Sequence, residues 1–215
     1  MDGSQMSPEF PEKLISQFNA TRTQTETLAA GLSDADATVQ SMEDASPAKW
    51  HLAHTSWFFE AMVLAPFKPG YESFDEVFDF LFNSYYETIG VRIARPRRGM
   101  LSRPSLNRVQ EYRRHVTAGI LDLLERGASA EALRLIELGC HHEQQHQELL
   151  LTDILHLFAQ NPLSPPFKAP EESIEKRDRP TPLRFIEFAG GIAGIGHQGD
   201  EFAFDCEGPR HDVLL

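Results

Sequence analysis

The sequence predicts a mainly α-helical protein, a bundle of long helices followed by a short β-rich segment. Long stretches carry apolar residues at helical spacing, each opened by a capping residue and closed by glycine or proline. Asn161-Pro162 and Pro165-Pro166 then interrupt the helical pattern firmly. After Pro182 the pattern changes to short apolar runs and many glycines, which favours strands.

Capping and stop signals give the helix boundaries. Ser46 followed by Pro47 is a strong start for the second helix, which is apolar almost all round and should therefore be central in the bundle. A capping box over residues 73–76 opens the third helix. Ser105 can cap the fourth helix, and Gly127 stops it. The predicted helices cover residues 7–31, 48–64, 74–89, 106–126 and 130–158.

We expect three parts along the chain. Residues 8–160 form the helical bundle, and residues 161–182 form a charged, proline-flanked linker. Residues 183–215 are the incomplete start of a β-rich domain, since about thirty residues cannot build a core of their own. Residues 183–188 are the candidate first strand. The glycine-rich run at 190–196 lacks the strand–helix unit and downstream acid of a dinucleotide site.

The composition excludes several classes of function. The formal net charge of −12 argues against DNA or RNA as the main partner. No apolar run reaches the roughly 18 residues that a membrane span needs, and the N-terminus lacks the basic and apolar regions of a signal peptide. Two cysteines, Cys140 and Cys206, do not make a disulfide framework. We therefore expect a cytoplasmic protein that binds neither nucleic acid nor membranes.

The most informative stretch is CHHEQQHQE at residues 140–148, inside the last predicted helix. His142 and His146 are four residues apart, so a helix places both imidazoles on one face. Two such rings can bind one transition metal at about 2.0–2.1 Å each. Solvated histidines on a polar face are the other interpretation. The apolar residues that follow indicate a buried helix, where histidines need partners, and this favours a metal.

Two schemes can complete such a site. HEQQH matches the zinc metalloprotease motif H-E-x-x-H, in which Glu143 would be the general base. The longer protease patterns are not met by the residues that follow. Alternatively, His51 or His54 on the second helix supplies a third imidazole, and Asp153 orients one ring. A core histidine bonded to a backbone or carboxylate group is the ordinary alternative. Imidazole suits iron, zinc, copper and nickel alike.

A second candidate site is the segment at residues 92–104, which holds five arginines in an acidic protein. Pro96 and Pro104 argue against a regular helix there. The segment is either a solvated basic loop or a clamp for carboxylate or phosphate, which arginine binds bidentately. The residues alone leave these two interpretations open.

Several longer motifs follow one another in a specific order. They are SMEDASPAKWHLAHT at 41–55, FNSYY at 82–86, LSRPS at 101–105, HEQQHQEL at 142–149, and FAFD at 202–205 with Glu207, Pro209, Arg210 and His211. From Thr21 on, the chain resembles the ergothioneine-pathway sulfoxide synthases, or hercynine oxygenases. The bundle resembles their N-terminal DinB-like domain. The final motif resembles the opening of their second domain, which is related to formylglycine-generating enzymes, the sulfatase-modifying factors.

The resemblance implies a DinB-like four-helix bundle followed by the truncated start of a C-type-lectin-like domain. It implies one non-haem Fe(II) bound by His54, His142 and His146, with His51 and His141 supporting the ligands or the structure. The substrates would be N-α-trimethylhistidine (hercynine), a thiol such as γ-glutamylcysteine, and O2. The reaction would be oxidative C–S bond formation that gives a sulfoxide.

The resemblance also implies roles for residues beside the metal. Arg95 and Arg98 would bind the carboxylates of the thiol, and Gln145 would contact trimethylhistidine. The catalytic residues are expected in the second domain, beyond its start, so we expect this chain to be an incomplete form. Selenoneine and ovothiol synthases share the architecture and remain open. A non-catalytic metal-binding bundle is the contrasting class, and the oligomeric state is left open.

Overall fold

The computed structural model describes residues 10–84, 93–168, 182–199 and 201–215. Two compact units divide the chain, Met1–Pro170 and Glu171–Leu215. The first unit is helical, and the second contains a two-stranded antiparallel sheet. The mainly helical architecture confirms the helical part of the predicted fold. Within these described ranges, no helix combines the length and apolarity that crossing a membrane requires.

Four long helices, α1, α3, α6 and α7, build the first unit. The helices are α1 (Phe10–Ala29), α2 (Asp34–Thr38), α3 (Ala48–Phe59), α4 (Ala65–Phe67), α5 (Glu76–Phe82), α6 (Leu106–Arg126) and α7 (Ala130–Ala159). The Ser105 and Ser129 hydroxyls accept hydrogen bonds from the backbone N–H groups of Arg108 and Ala132. These bonds satisfy amides that the first helical turn leaves unpaired, so α6 and α7 begin where their caps predict.

Helix α3 lies at the centre of this unit, as its apolar sequence predicts. All twelve of its residues are buried. It packs against both α6 and α7, and α1 packs against α7. The core joins Phe18 of α1, Trp57 of α3, Tyr112 of α6 and Ile136 of α7. This packing places one face of α3 directly beside the histidine-bearing face of α7.

The helix that begins with α3 continues past residue 64, where the sequence predicts its end. It widens into a π-helix at Glu60–Leu64 and closes with α4. The buried Glu60 carboxylate accepts hydrogen bonds from the hydroxyls of Tyr71 and Tyr112, at 2.6 and 2.5 Å, and from the Phe74 N–H at 3.1 Å. The π-helix therefore begins at a residue that is hydrogen-bonded to α6 and to the loop before α5.

The third predicted helix is shorter than expected. Helix α5 begins at Glu76 because the carboxylate of Asp75, rather than Ser73, caps it by accepting a hydrogen bond from the Val77 N–H. It ends at Phe82, and Asn83 is extended, so the prediction of one unbroken helix from 74 to 89 is wrong at its start and at Asn83. Residues 85–92 lie outside the described residues.

The arginine-rich segment forms a short 3₁₀ helix, Arg95–Met100, although the sequence predicts no regular helix there. Pro96 occupies its first turn, where a missing backbone N–H leaves no hydrogen bond unmade. Arg92 lies outside the described residues.

The second unit pairs β1 (Ile192–Ile195) with β2 (His211–Leu214), and Ile192 lies opposite Leu214. The prediction of a strand at residues 183–188 is wrong, because no strand forms there. A strand needs a neighbour for its backbone groups, and the described residues provide none for this segment. Its four large apolar side chains are each at least 75% exposed; they are Leu183, Phe185, Ile186 and Phe188.

Candidate metal centre

Three histidines meet between α3 and α7. His54 projects from α3, while His142 and His146 project one turn apart from α7. One nitrogen from each ring lies within 4.8 Å of those of the other two, which is the arrangement that can hold one metal ion. The ring centroids are 4.6 Å apart for His142 and His146, and 5.0 and 4.7 Å from that of His54. The structure thus brings together the three ligands that the sequence resemblance implies.

His54 is held rigidly by its surroundings. Its Nδ1 donates a hydrogen bond to the Phe82 carbonyl at 2.6 Å, which leaves Nε2 as the nitrogen with a free lone pair. Its ring is stacked between the indoles of Trp50 and Trp57, with centroid distances of 4.5 and 5.4 Å. Burial, together with the nearby His142, holds the pKa of His54 well below its ordinary value. This imidazole is therefore neutral, as a metal ligand must be.

His146 belongs to a chain of hydrogen bonds that leads away from the other two ligands. Its Nδ1 lies 2.9 Å from Nδ1 of His51, and Nε2 of His51 lies 2.9 Å from Oδ2 of Asp153. The same oxygen accepts the backbone N–H of Ser46 at 2.8 Å. Burial and the neighbouring histidines, His54 first, depress the pKa of His146 far below its ordinary range. Asp153 therefore does orient an imidazole, that of His51, which in turn contacts a candidate ligand.

His142 completes the group. Burial lowers its pKa to about 4, so it too is neutral at physiological pH. Its Nδ1 is buried and finds no hydrogen-bond partner among the described residues. A buried polar atom without a partner costs free energy, so this nitrogen is a sign of a missing ligand or neighbour. His141, the third imidazole of the motif, is partly buried and does not line the cavity above the site.

The three histidines form part of the wall of a cavity of about 680 Å³, which is within the usual size range for a small-molecule site. The cavity combines an aromatic wall, several carboxylates and both predicted arginines. Its lining includes Trp50, Trp57, Phe58, Asp44, Glu148, Asp153, Ser46, Ser84, Arg95, Arg98, Gln145, Leu149 and Thr152. Arg95, Arg98 and Gln145, the predicted substrate-binding residues, thus share one space with the three histidines.

The two arginines differ in their surroundings. Arg98 is buried, its guanidinium carbon lies 3.4 Å from the centroid of the Trp50 ring, and it donates hydrogen bonds to the hydroxyls of Ser46 and Ser84. Arg95 is exposed. A buried, stacked guanidinium is a fixed positive charge, whereas an exposed arginine can move to meet a ligand.

Glu143, the candidate general base of the protease scheme, is not in this cavity. It is fully buried on another face of α7, where it accepts hydrogen bonds from Arg22 at 2.9 Å, Arg113 at 2.8 Å and Thr25 at 2.6 Å. Burial alone would raise its pKa, but the two arginines outweigh burial and lower it to about 2. A carboxylate so enclosed cannot take a proton from a metal-bound water, so the geometry opposes the protease scheme.

The fold and the site together define a helical bundle that carries a three-histidine candidate metal centre. The chain belongs to the DinB superfamily, whose family model matches residues 17–150. This match covers all three histidines and both arginines of the cavity. No curated protein matches the chain.

Proposed function

We propose that this protein binds one Fe(II) through His54, His142 and His146 and serves in oxidative C–S bond formation. The substrates would be N-α-trimethylhistidine and a thiol such as γ-glutamylcysteine, and the product a sulfoxide. The observation that carries this proposal is the opening of three neutral imidazoles onto a cavity of about 680 Å³ that also holds arginines. The particular reaction is carried over from the motif resemblance. DinB-like domains often bind metals.

The residues present fit such an ion. One buried and two partly buried histidines, all with lowered pKa values, are ready to coordinate without first releasing protons. The Nδ1 of His142 has no hydrogen-bond partner among the described residues, which supports a site that a bound ion would complete. Three ligands leave further coordination positions for substrates, as in other sites with an open face. When bound, iron would supply the redox chemistry with O2 and its affinity for the thiolate.

The chain's own residues would bind and orient the substrates. Arg95, at the exposed part of the lining, is suited to a carboxylate of the thiol substrate, and Arg98 adds a fixed positive charge deeper in the cavity. Gln145 lines the same cavity, and its amide can donate a hydrogen bond to trimethylhistidine or accept one from it. The indoles of Trp50 and Trp57 hold His54 in place and keep water from its ring faces.

The second unit would have a role different from that of the helical bundle. Residues 183–215 would be part of a domain related to formylglycine-generating enzymes, joined to the bundle by the linker at 161–182. That domain would supply the catalytic tyrosine and the groups that hold the trimethylammonium.

The test measures thiol binding and product formation side by side. Cobalt-substituted protein should gain a thiolate charge-transfer band on addition of γ-glutamylcysteine. The Fe(II)-loaded protein, given both substrates and then O2, should form sulfoxide detectable by mass spectrometry. Both signals should vanish in His142→Ala and persist in His156→Ala, a histidine of α7 that bonds to Ser41 instead. A metal-loaded protein showing neither signal contradicts the proposal.

A further inference from the structure

We propose that Asp153 and His51 are positioning residues that fix the tautomer of His146, so that its Nε2 faces the metal. The inference rests on the proposed metal site and concerns residues that the sequence motif does not include as ligands. Its basis is the chain of hydrogen bonds from Asp153 through His51 to His146. Along this series of hydrogen bonds, the position of the proton on each imidazole follows from the group before it.

The direction of the chain is set by the carboxylate. An ionised carboxylate only accepts hydrogen bonds, and Oδ2 of Asp153 already accepts one from the Ser46 N–H. Nε2 of His51, 2.9 Å away, must therefore be the donor. A neutral imidazole carries one N–H, so Nδ1 of His51 is an acceptor. It can only accept from Nδ1–H of His146, which leaves the lone pair of His146 on Nε2.

The surroundings make this order hard to reverse. His51 is only 3% exposed, so water cannot readily replace either of its partners. The Trp50 indole meets its ring edge to face at 5.7 Å and restricts its rotation. In the reversed tautomer, the lone pair of His51 Nε2 would face the Asp153 carboxylate, and His146 would present an N–H where a ligand must present a lone pair. Ser46 lies just before α3, His51 lies on α3 and Asp153 lies on α7, so the order is a property of the tertiary structure.

The first test reads the tautomer directly, without metal. Long-range ¹H–¹⁵N correlation spectra of the metal-free protein should show His146 protonated at Nδ1. His51→Phe keeps a flat ring but removes the acceptor, so His146 should shift towards the Nε2–H form. His51→Gln restores an acceptor oxygen and should restore the Nδ1–H form. Asp153→Ala, which leaves a smaller gap than loss of the His51 ring, should also weaken the preference.

The second test measures affinity for Zn(II) by competition with a chelator. Loss of a group that orients a metal-bound histidine typically weakens binding about 10–100-fold, and we expect this for His51→Phe and Asp153→Ala. His51→Gln should recover most of the loss. Glu148→Ala is the matched control, because Glu148 lines the same cavity from the same helix but its carboxylate has no hydrogen bond to a histidine among the described residues; it should change affinity less than about threefold.

Two results would overturn the inference. One is a wild-type His146 protonated at Nε2; the other is wild-type zinc affinity in both a folded His51→Phe and a folded Asp153→Ala protein. If His51→Phe does not fold, Asp153→Ala and His51→Gln decide the matter. None of these readouts needs turnover, so failure of the proposed reaction would leave them intact, and their failure would leave the proposed reaction standing.

Discussion

Glu143→Gln should destabilise the protein strongly, although Glu143 lies between two candidate metal ligands in sequence. In the structure its carboxylate is fully buried and bonded to Arg22 and Arg113, both also buried. Glutamine keeps the shape but leaves two buried guanidinium charges uncompensated. Breaking a buried pair in this way costs about 3–5 kcal/mol. For a chain of this size about 1 kcal/mol corresponds to 2–4 °C, so the melting temperature should fall by roughly 6–20 °C.

Thermal unfolding followed by circular dichroism at pH 7 measures this effect. Glu148→Gln is the matched control, since it removes the same charge from an exposed position on the same helix and should change stability by less than about 0.5 kcal/mol. Metal stoichiometry should be unchanged in folded Glu143→Gln protein. A variant as stable as the wild type that has lost a zinc-dependent peptidase activity would refute this reasoning and restore the protease scheme.

The remaining predictions concern pH, packing and substrate binding. Because the pKa of Glu143 is lowered to about 2, the stability it contributes should be present above its unfolded pKa of about 4.5 and be lost as pH falls towards 2, as acid titrations of unfolding would show. In Gly139→Ala the new Cβ would lie 2.4 Å from the Phe59 ring, which should cost about 1–3 kcal/mol in urea unfolding, whereas Gly31→Ala, with nothing within 4 Å, should change stability by less than about 1 kcal/mol. Arg95→Ala should weaken calorimetric binding of γ-glutamylcysteine to the metal-loaded protein about 10–100-fold, by loss of a charged contact worth about 1.5–3 kcal/mol, and leave trimethylhistidine binding unchanged. Arg97→Ala, from the same 3₁₀ turn but outside the cavity lining, should have no effect, and equal effects of Arg95→Ala on both substrates would contradict the carboxylate contact.

The long helices could be predicted because local chemistry decides where they begin. Ser105 and Ser129 each bond to an amide three residues ahead, and such bonds depend only on nearby sequence. The third helix could not be predicted equally well. Its apolar residues continue beyond Phe82, yet the backbone is extended at Asn83. The Phe82 carbonyl accepts a hydrogen bond from the His54 ring instead of one from a further helical turn. Tertiary partners there override the local pattern.

Part of the candidate site could likewise be predicted from local sequence, and part could not. Helical spacing predicts that His142 and His146 share a face, and the structure agrees. The surroundings of Glu143 depend on arginines from α1 and α6, and no local pattern reveals that they lie beside it. Arg22 and Arg113 gave no signal beyond being charged residues within apolar helices. The bond between His51 and His146 likewise depends on how α3 and α7 are set against each other.

The most direct measurement of the central claim is an anaerobic titration of the protein with Fe(II). The three-histidine centre predicts one equivalent of bound iron in the wild type. Each of His54→Ala, His142→Ala and His146→Ala should lose most of this affinity, while His156→Ala should retain it. Unchanged stoichiometry and affinity in all three variants would contradict the metal centre.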